Sequence, residues 1–168
     1  MNPLDLYLSF NGRINRAKWW LGFISLTILS IVVNIALNPA AFSGLGGDPT
    51  ASNLNIDALK PTLLQLIVGL VFTVLLLAVI KKRLNDRNWG SWMFVLIALV
   101  YLAVQIGQYF VIGAATTLEE ITISTLPFSA LGLAVFVFLI IDNGMLKGTV
   151  GPNQYGEDPI AHKHVTTA

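Results

Sequence analysis

The sequence predicts an all-α integral membrane protein with four transmembrane helices, a short N-terminal interfacial helix and an irregular cytoplasmic tail. Of its 168 residues, 55% are hydrophobic and only 11% are charged, whereas about a quarter of the residues of a soluble domain carry charge. Four stretches without Asp, Glu, Lys or Arg have about the 20 residues that a helix needs to cross the hydrocarbon core. The segments between them are too short for a separate catalytic domain of about 50 residues or more.

The four predicted spans are residues 19–37, 62–80, 91–112 and 121–141, all within one domain that covers residues 1–160. Residues 161–168 are expected to form a disordered tail. The last span has the least defined start, because Pro127 also fits a helix that begins near Leu126. The first span could be a cleavable signal peptide, but its apolar stretch exceeds the ~7–15 residues of such peptides, which favours a retained helix.

Basic residues are concentrated on one side of the predicted membrane. Nine of the ten fall before the first span, between the second and third spans, or after the fourth, and only Lys60 falls on the other side. Since Lys and Arg in short loops are retained in the cytoplasm, both termini are predicted to be cytoplasmic. Asn2 and Pro3 fit the start of the interfacial helix.

The interior of the predicted spans carries no Asp, Glu, Lys, Arg or His, which argues against a proton relay or an ion-coupled carrier. Its strongest polar side chains are Asn34, Gln65, Gln105 and Gln108. We expect these side chains to form hydrogen bonds between helices. A polar path across the membrane is the alternative interpretation.

Polar, basic and aromatic residues gather in three segments on the predicted cytoplasmic side. The first runs over residues 10–20, where Trp19 and Trp20 fit an aromatic belt at the level of the lipid headgroups. The second runs over residues 81–92, and the third, over residues 147–159, has the glycines and prolines of successive turns. We select from these segments and the end of the fourth span a candidate cytoplasmic-face site: Gly12, Arg13, Arg16, Trp19, Arg83, Asp86, Trp92, Asp142, Asn153, Tyr155 and Gly156.

Two contacts are expected within this site. Acids at the membrane edge rarely stay unpaired, so at least one of Asp86 and Asp142 should form an ion pair with an arginine. The tail should dock on the charged face through Asn153 and Tyr155, which can hydrogen-bond and bury apolar area there.

The same three segments resemble a bacterial inner-membrane family catalogued as domain of unknown function 805. The matching motifs are Phe10-x-Gly12-Arg13-x-x-Arg16-x-x-Trp19-Trp20, then Arg83-Leu84-x-Asp86 with a later Trp92, then Gly148-x-x-Gly151-x-Asn153-x-Tyr155-Gly156-x-Asp158-Pro159. The middle segment departs from the family: Asn85 stands where His is usual, and Asn88-Trp89-Gly90-Ser91 replaces Gly-x-Ser-Gly. The resemblance implies a small helical protein of the bacterial inner membrane without an established activity.

The residues favour a membrane interaction or lipid-contacting protein, because each basic residue near an anionic surface contributes about 1 kcal/mol. A small channel or carrier for an uncharged or small solute is the alternative function.

We predict no enzyme activity, no catalytic residues, no cofactor and no metal site, since the chain has no cysteine and its acids have no His partner outside the tail. The expected partners are bilayer lipids, including anionic headgroups, and a protein partner or a second copy. The net charge of +1 gives no basic field for nucleic acid.

The predicted topology can be tested with single cysteines, because the chain has none of its own. Gly46→Cys and Thr117→Cys should react with a membrane-impermeant maleimide added outside the cell. Asn88→Cys and Asn153→Cys should react only after the membrane is opened. Labelling of Asn88→Cys from outside would contradict the topology.

Overall fold

A computed structural model describes residues 2–39 and 56–160. The regular secondary structure in these ranges consists of helices, and they contain no β-strand. The predictions for Gly46 and for residues 161–168 lie outside the described residues. The helices, in chain order, are α1 (Pro3–Leu8), α2 (Arg16–Leu37), α3 (Ile56–Leu59), α4 (Leu63–Asp86), α5 (Ser91–Ala114) and α6 (Leu118–Leu139), and α6 continues into a π-helix (Ile140–Met145).

Four helices are long and apolar enough to cross a membrane: α2, α4, α5, and α6 with its π-helix. Their outward-facing side chains are large and apolar, for example Leu21, Ile28, Val71 and Leu99, and they are half or more exposed in the isolated chain. Such surfaces are stable against lipid. The fold class is therefore confirmed: the chain is an all-α, multi-pass membrane protein with a short N-terminal helix.

α4 is the central helix of the bundle. In its most apolar window 28% of the residues are buried, against 6–11% in the other three spanning helices. α2 and α5 pack against α4, α6 packs against α5, and the π-helix returns to contact α2. We call the end with Arg13, Arg83 and Asp86 the basic end, and the end with Pro61 and Ala115 the opposite end.

Small residues allow close contacts between the helices. Gly69 on α4 lies against the side-chain amide of Gln105 on α5, and Gly107 lies against the ring of Phe128 on α6. A Cβ atom would stand 1.9 Å from the Gln105 nitrogen at the first position and 2.2 Å from the Phe128 ring at the second. Both distances are far inside van der Waals contact, so these glycines permit the packing.

The polar side chains of the spans behave differently from one another. Gln105 accepts a hydrogen bond from the hydroxyl of Thr73 at 3.2 Å, as expected for a bond between helices. The same expectation is wrong for Asn34, which donates to the Ser30 carbonyl of its own helix, and for Gln65, whose side-chain oxygen accepts from Thr62 in a capping box. Polar side chains often bond to nearby backbone groups of their own helix in this way.

Two helix boundaries differ from the predicted spans. α4 does not end near residue 80 but continues to Asp86, because its charged last turn is buried against other segments. α6 begins at Leu118, where Thr117 and Glu120 form a capping box, and Pro127 lies inside the helix. A start near Leu126 is therefore wrong: a proline removes one backbone donor, and a membrane helix tolerates this loss.

Candidate functional site

The basic end is organised around the carboxylate of Asp86 at the last turn of α4. Arg13 donates to its Oδ1 through Nε at 3.1 Å and Nη2 at 3.0 Å. Arg83, one helical turn earlier on α4, donates to Oδ2. The side chains of all three residues are at most 3% exposed. The expectation that an inner-face acid pairs with an arginine is confirmed.

Arg13 also connects the N-terminal segment to the tail. Its Nη1 donates to the carbonyls of Gly151 at 2.7 Å and Gly156 at 3.1 Å. Its Nη2 donates to the carbonyl of Thr149 at 2.6 Å and to the Thr149 hydroxyl at 3.1 Å. The guanidinium group thus binds one carboxylate, three backbone carbonyls and one hydroxyl, which a compact ammonium group could not do in the same geometry.

The tail docks directly on the end of α4. Thr149 donates to the Asp86 carbonyl through its backbone N–H at 2.8 Å and through its hydroxyl at 2.9 Å. Asn153 donates to the Asn85 carbonyl at 3.0 Å, and the Tyr155 hydroxyl donates to the Trp89 carbonyl at 2.7 Å. Two of these acceptors, Asn85 and Asp86, are in the last turn of α4, and the third, Trp89, follows it. Docking is confirmed, although Asn153 and Tyr155 are half-buried and not deeply buried.

Gly148 sets how closely the tail can approach. A Cβ atom at this position would stand 1.9 Å from Oδ2 of Asp86. The backbone therefore passes next to the buried carboxylate only because the residue has no side chain. Beyond it, the tail reverses at residues 153–156, where Asn153 and Gly156 exchange backbone hydrogen bonds of 3.0 Å.

Arg83 links α4 to two other segments. Its Nε donates to the Asn143 carbonyl of the π-helix at 2.8 Å, and its Nη1 donates to the Ile14 carbonyl at 3.4 Å. Its Nη2 donates to the Leu146 carbonyl. Asn143 and Leu146 lie at the end of the π-helix, where backbone carbonyls have no partner within the helix.

A second ion pair lies beside the first. Arg87 donates to Oδ1 of Asp142 at 3.3 Å, and Trp89 donates to Oδ2 through its indole nitrogen at 3.0 Å. The Asp142 side chain is 6% exposed and that of Arg87 is 24% exposed. Both acids that the sequence placed at this face therefore have arginine partners.

The other selected residues occupy different positions. Gly12 has φ of +89° in the turn between α1 and α2, and its carbonyl accepts from Asn85. Arg16 is exposed and donates to the Met145 carbonyl at 3.0 Å. Trp92 is 61% exposed and contacts the ring of Trp89 at the edge of the site. The structure thus does not bring Trp92 into the charged cluster.

Trp19 is in the protein core and not in a lipid-facing belt, so that interpretation is wrong for this residue. It is 0% exposed and stacks on Phe23 with ring centroids 5.2 Å apart. A Cβ atom on Gly144 of the π-helix would stand 3.0 Å from its ring. The burial follows from the return of the π-helix onto α2, which no feature of the sequence around Trp19 indicates.

Sequence reasoning missed three members of the site. Thr149 bonds to Arg13, Asp86 and Asn153. Lys82 is 0% exposed, and its ammonium group donates to the carbonyls of Asp5 and Leu6 on α1. Lys82 belongs to the basic run of residues 81–83. Because such runs are usually solvated, the sequence did not indicate that Lys82 is buried. Asn85 is also buried and donates to Gly12.

A cleft of about 190 Å³ adjoins the cluster between the start of α2 and the tail. Its lining includes Arg16, Asp86, Lys147 and Asp158. Within residues 2–39 and 56–160 there is no group of three or more His, Cys, Asp or Glu that could hold a metal ion. The arrangement can hold charged groups through hydrogen bonds.

Replacing Asp86 should unfold the basic end, because it leaves two buried arginines without a counter-ion. We expect Asp86→Asn to lower the free energy of unfolding by about 3–5 kcal/mol, the usual effect of breaking a buried ion pair. Thermal denaturation in detergent measures this change. The control is Asp57→Asn, which removes an ion pair with Lys60 whose acid side chain is 80% exposed and should have little effect. Equal melting temperatures for the two variants would contradict the role of Asp86.

The comparisons with known proteins agree with the resemblance of the three motifs. The family model described as protein of unknown function (DUF805) matches residues 7–157, nearly the whole chain and all three segments of the site. No curated protein and no solved structure matches the chain. The chain belongs to the DUF805 family of proteins of unknown function.

Proposed function

We propose that this protein is a non-enzymatic, lipid-contacting protein of the bacterial inner membrane, with both termini in the cytoplasm and a basic end that binds the phosphate of anionic headgroups. One observation carries the proposal. After the buried ion pairs are formed, three cations at the basic end remain exposed without a salt-bridge partner in the described part of the chain: Arg16, Lys18 and Lys147.

The positions of these cations suit a headgroup. Arg16 and Lys18 are in the first turn of α2, and the exposed Leu21 follows within one and a half turns. At a rise of about 1.5 Å per residue, the charges lie about 5–8 Å from the start of the lipid-facing surface. Trp20 lies between them and the apolar surface, as is typical of the membrane interface.

The rim of the cleft suits an anion better than its interior. Inside the cleft, Asp158 already accepts backbone hydrogen bonds from Gly151 and Ile160, both at 2.9 Å. Its negative charge would repel a phosphate group there. Arg16 and Lys147 line the same cleft and are exposed, so a phosphate that binds at the rim meets cations and avoids this carboxylate.

The other basic residues that the structure describes at the basic end make contacts within the fold. Arg13 and Arg83 are buried against Asp86. Lys81 donates to Ser91 and lies over the ring of Phe94. A change in lipid preference can therefore be assigned to the three exposed cations.

The test measures lipid selectivity in reconstituted membranes with spin-labelled lipids. The wild-type protein should prefer phosphatidylglycerol to phosphatidylcholine. Replacing Arg16, Lys18 and Lys147 together by Gln should reduce this preference by about fivefold per charge removed, since each exposed cation contributes about 1 kcal/mol. The matched control keeps the charges as Arg16→Lys, Lys18→Arg and Lys147→Arg and should retain the preference. An unchanged preference in the Gln variant would contradict the proposal.

A further inference from the structure

A polar crevice enters the bundle from the opposite end, far from the charged cluster. Two cavities of about 250 Å³ and 210 Å³ share Asn34 and Gln105 in their linings, so they adjoin each other, and we call them together the crevice. The lining comes from α2, α4 and α5. Its polar side chains include Ser30, Asn34, Thr73, Tyr101, Gln105 and Gln108.

The crevice reaches about the middle of the bundle. Pro61 lines its mouth, just before α4 begins at Leu63, and Thr73 and Leu76 line its deepest part. At about 1.5 Å per residue, the distance from Leu63 to Thr73 along α4 is about 15 Å, or half of the ~30 Å hydrocarbon core. Below this level the buried side chains of Leu77, Ile80 and other core residues close the bundle.

Several polar groups in the crevice have no partner in the described part of the chain. The side-chain amide of Gln108 and the hydroxyl of Tyr101 make no hydrogen bond, although both side chains are half-buried. Asn34 uses its nitrogen for Ser30, and Gln105 uses its oxygen for Thr73, which leaves the other atom of each amide free. Polar groups in a membrane-spanning region are costly to leave unpaired, so this space requires hydrogen-bonding contents.

The lining also limits the chemistry of those contents. None of its residues is Asp, Glu, Lys, Arg or His, so nothing there would neutralise a charged solute at membrane depth. The free groups include donors, such as the Gln105 nitrogen, and acceptors, such as the Asn34 oxygen. We propose that the crevice is a water-accessible binding site for a small uncharged solute that both donates and accepts hydrogen bonds. This proposal is independent of lipid binding at the basic end.

Cysteine reactivity tests whether water enters the crevice. Ser30→Cys places a thiol in the lining, and Ile31→Cys, at the next position, places one on the exposed apolar surface. A thiol reacts as the thiolate, which forms in water and not in lipid. We expect a membrane-impermeant methanethiosulfonate reagent, added on the side from which Thr117→Cys reacts, to modify Ser30→Cys at least about tenfold faster than Ile31→Cys.

Protection by a solute tests the binding site, with urea and glycerol as the probes and tetramethylammonium chloride at equal osmolality as the control. Urea or glycerol should slow the modification of Ser30→Cys at least about threefold, and the charged control should not. Gln108→Leu in the same background should remove the protection while the thiol stays reactive. Equal rates at positions 30 and 31 would overturn the proposal, because the crevice would then exclude water. Fast modification that neither probe slows would also overturn it, because the crevice would then hold water only.

Discussion

The buried carboxylate of Asp86 is the interaction on which the basic end depends. Two guanidinium groups and one carboxylate are removed from water together, at a cost that their mutual attraction offsets only when the remaining donors find acceptors. Arg13 finds them in the carbonyls of Thr149, Gly151 and Gly156, and Arg83 finds them in the π-helix and the N-terminal segment. The ion pair therefore explains why three segments far apart in the sequence meet at one point.

The tail motif follows from the same requirement. Gly148 lets the backbone approach the carboxylate, and Gly151 and Gly156 have φ of +78° and +126°, which favour glycine. The resulting turns direct carbonyl groups at Arg13. The glycines of the tail thus have a structural explanation. The proposed lipid contact involves Arg16, Lys18 and Lys147, which have no salt-bridge partner among the described residues.

The two ends of the bundle differ in how they treat polar groups. At the basic end the buried charged side chains all have hydrogen-bond or ion-pair partners, and the apolar core lies directly beneath them. Toward the opposite end, uncharged polar side chains of α2, α4 and α5 line two adjoining cavities, and some of their polar atoms have no partner among the described residues. The buried core closes the bundle at the basic end, so the proposed site suits binding from one side better than conduction.

Sequence patterns predicted the parts of the structure that depend on local composition. Four apolar stretches gave the four helices, and the one-sided distribution of basic residues placed Asp86 near its arginines. The pattern did not reveal that α4 continues through its charged residues, because charges after an apolar run are equally typical of a loop. The burial of Trp19 and Lys82 was also missed, since it depends on contacts with Gly144 and α1 that no local pattern encodes. The exposed position of Trp92 shows that a shared motif residue need not join the cluster.

Amide hydrogen exchange of the tail tests the central claim most directly. In the wild-type protein the amides of Thr149, Gly151, Asn153 and Gly156, which all have acceptors, should exchange at least about tenfold more slowly than in a free peptide. Arg13→Lys keeps the charge but loses the forked geometry, so these amides should then approach the free-peptide rate while those of α5 stay protected. Tail amides that exchange freely in the wild type, or remain equally protected in Arg13→Lys, would contradict the account.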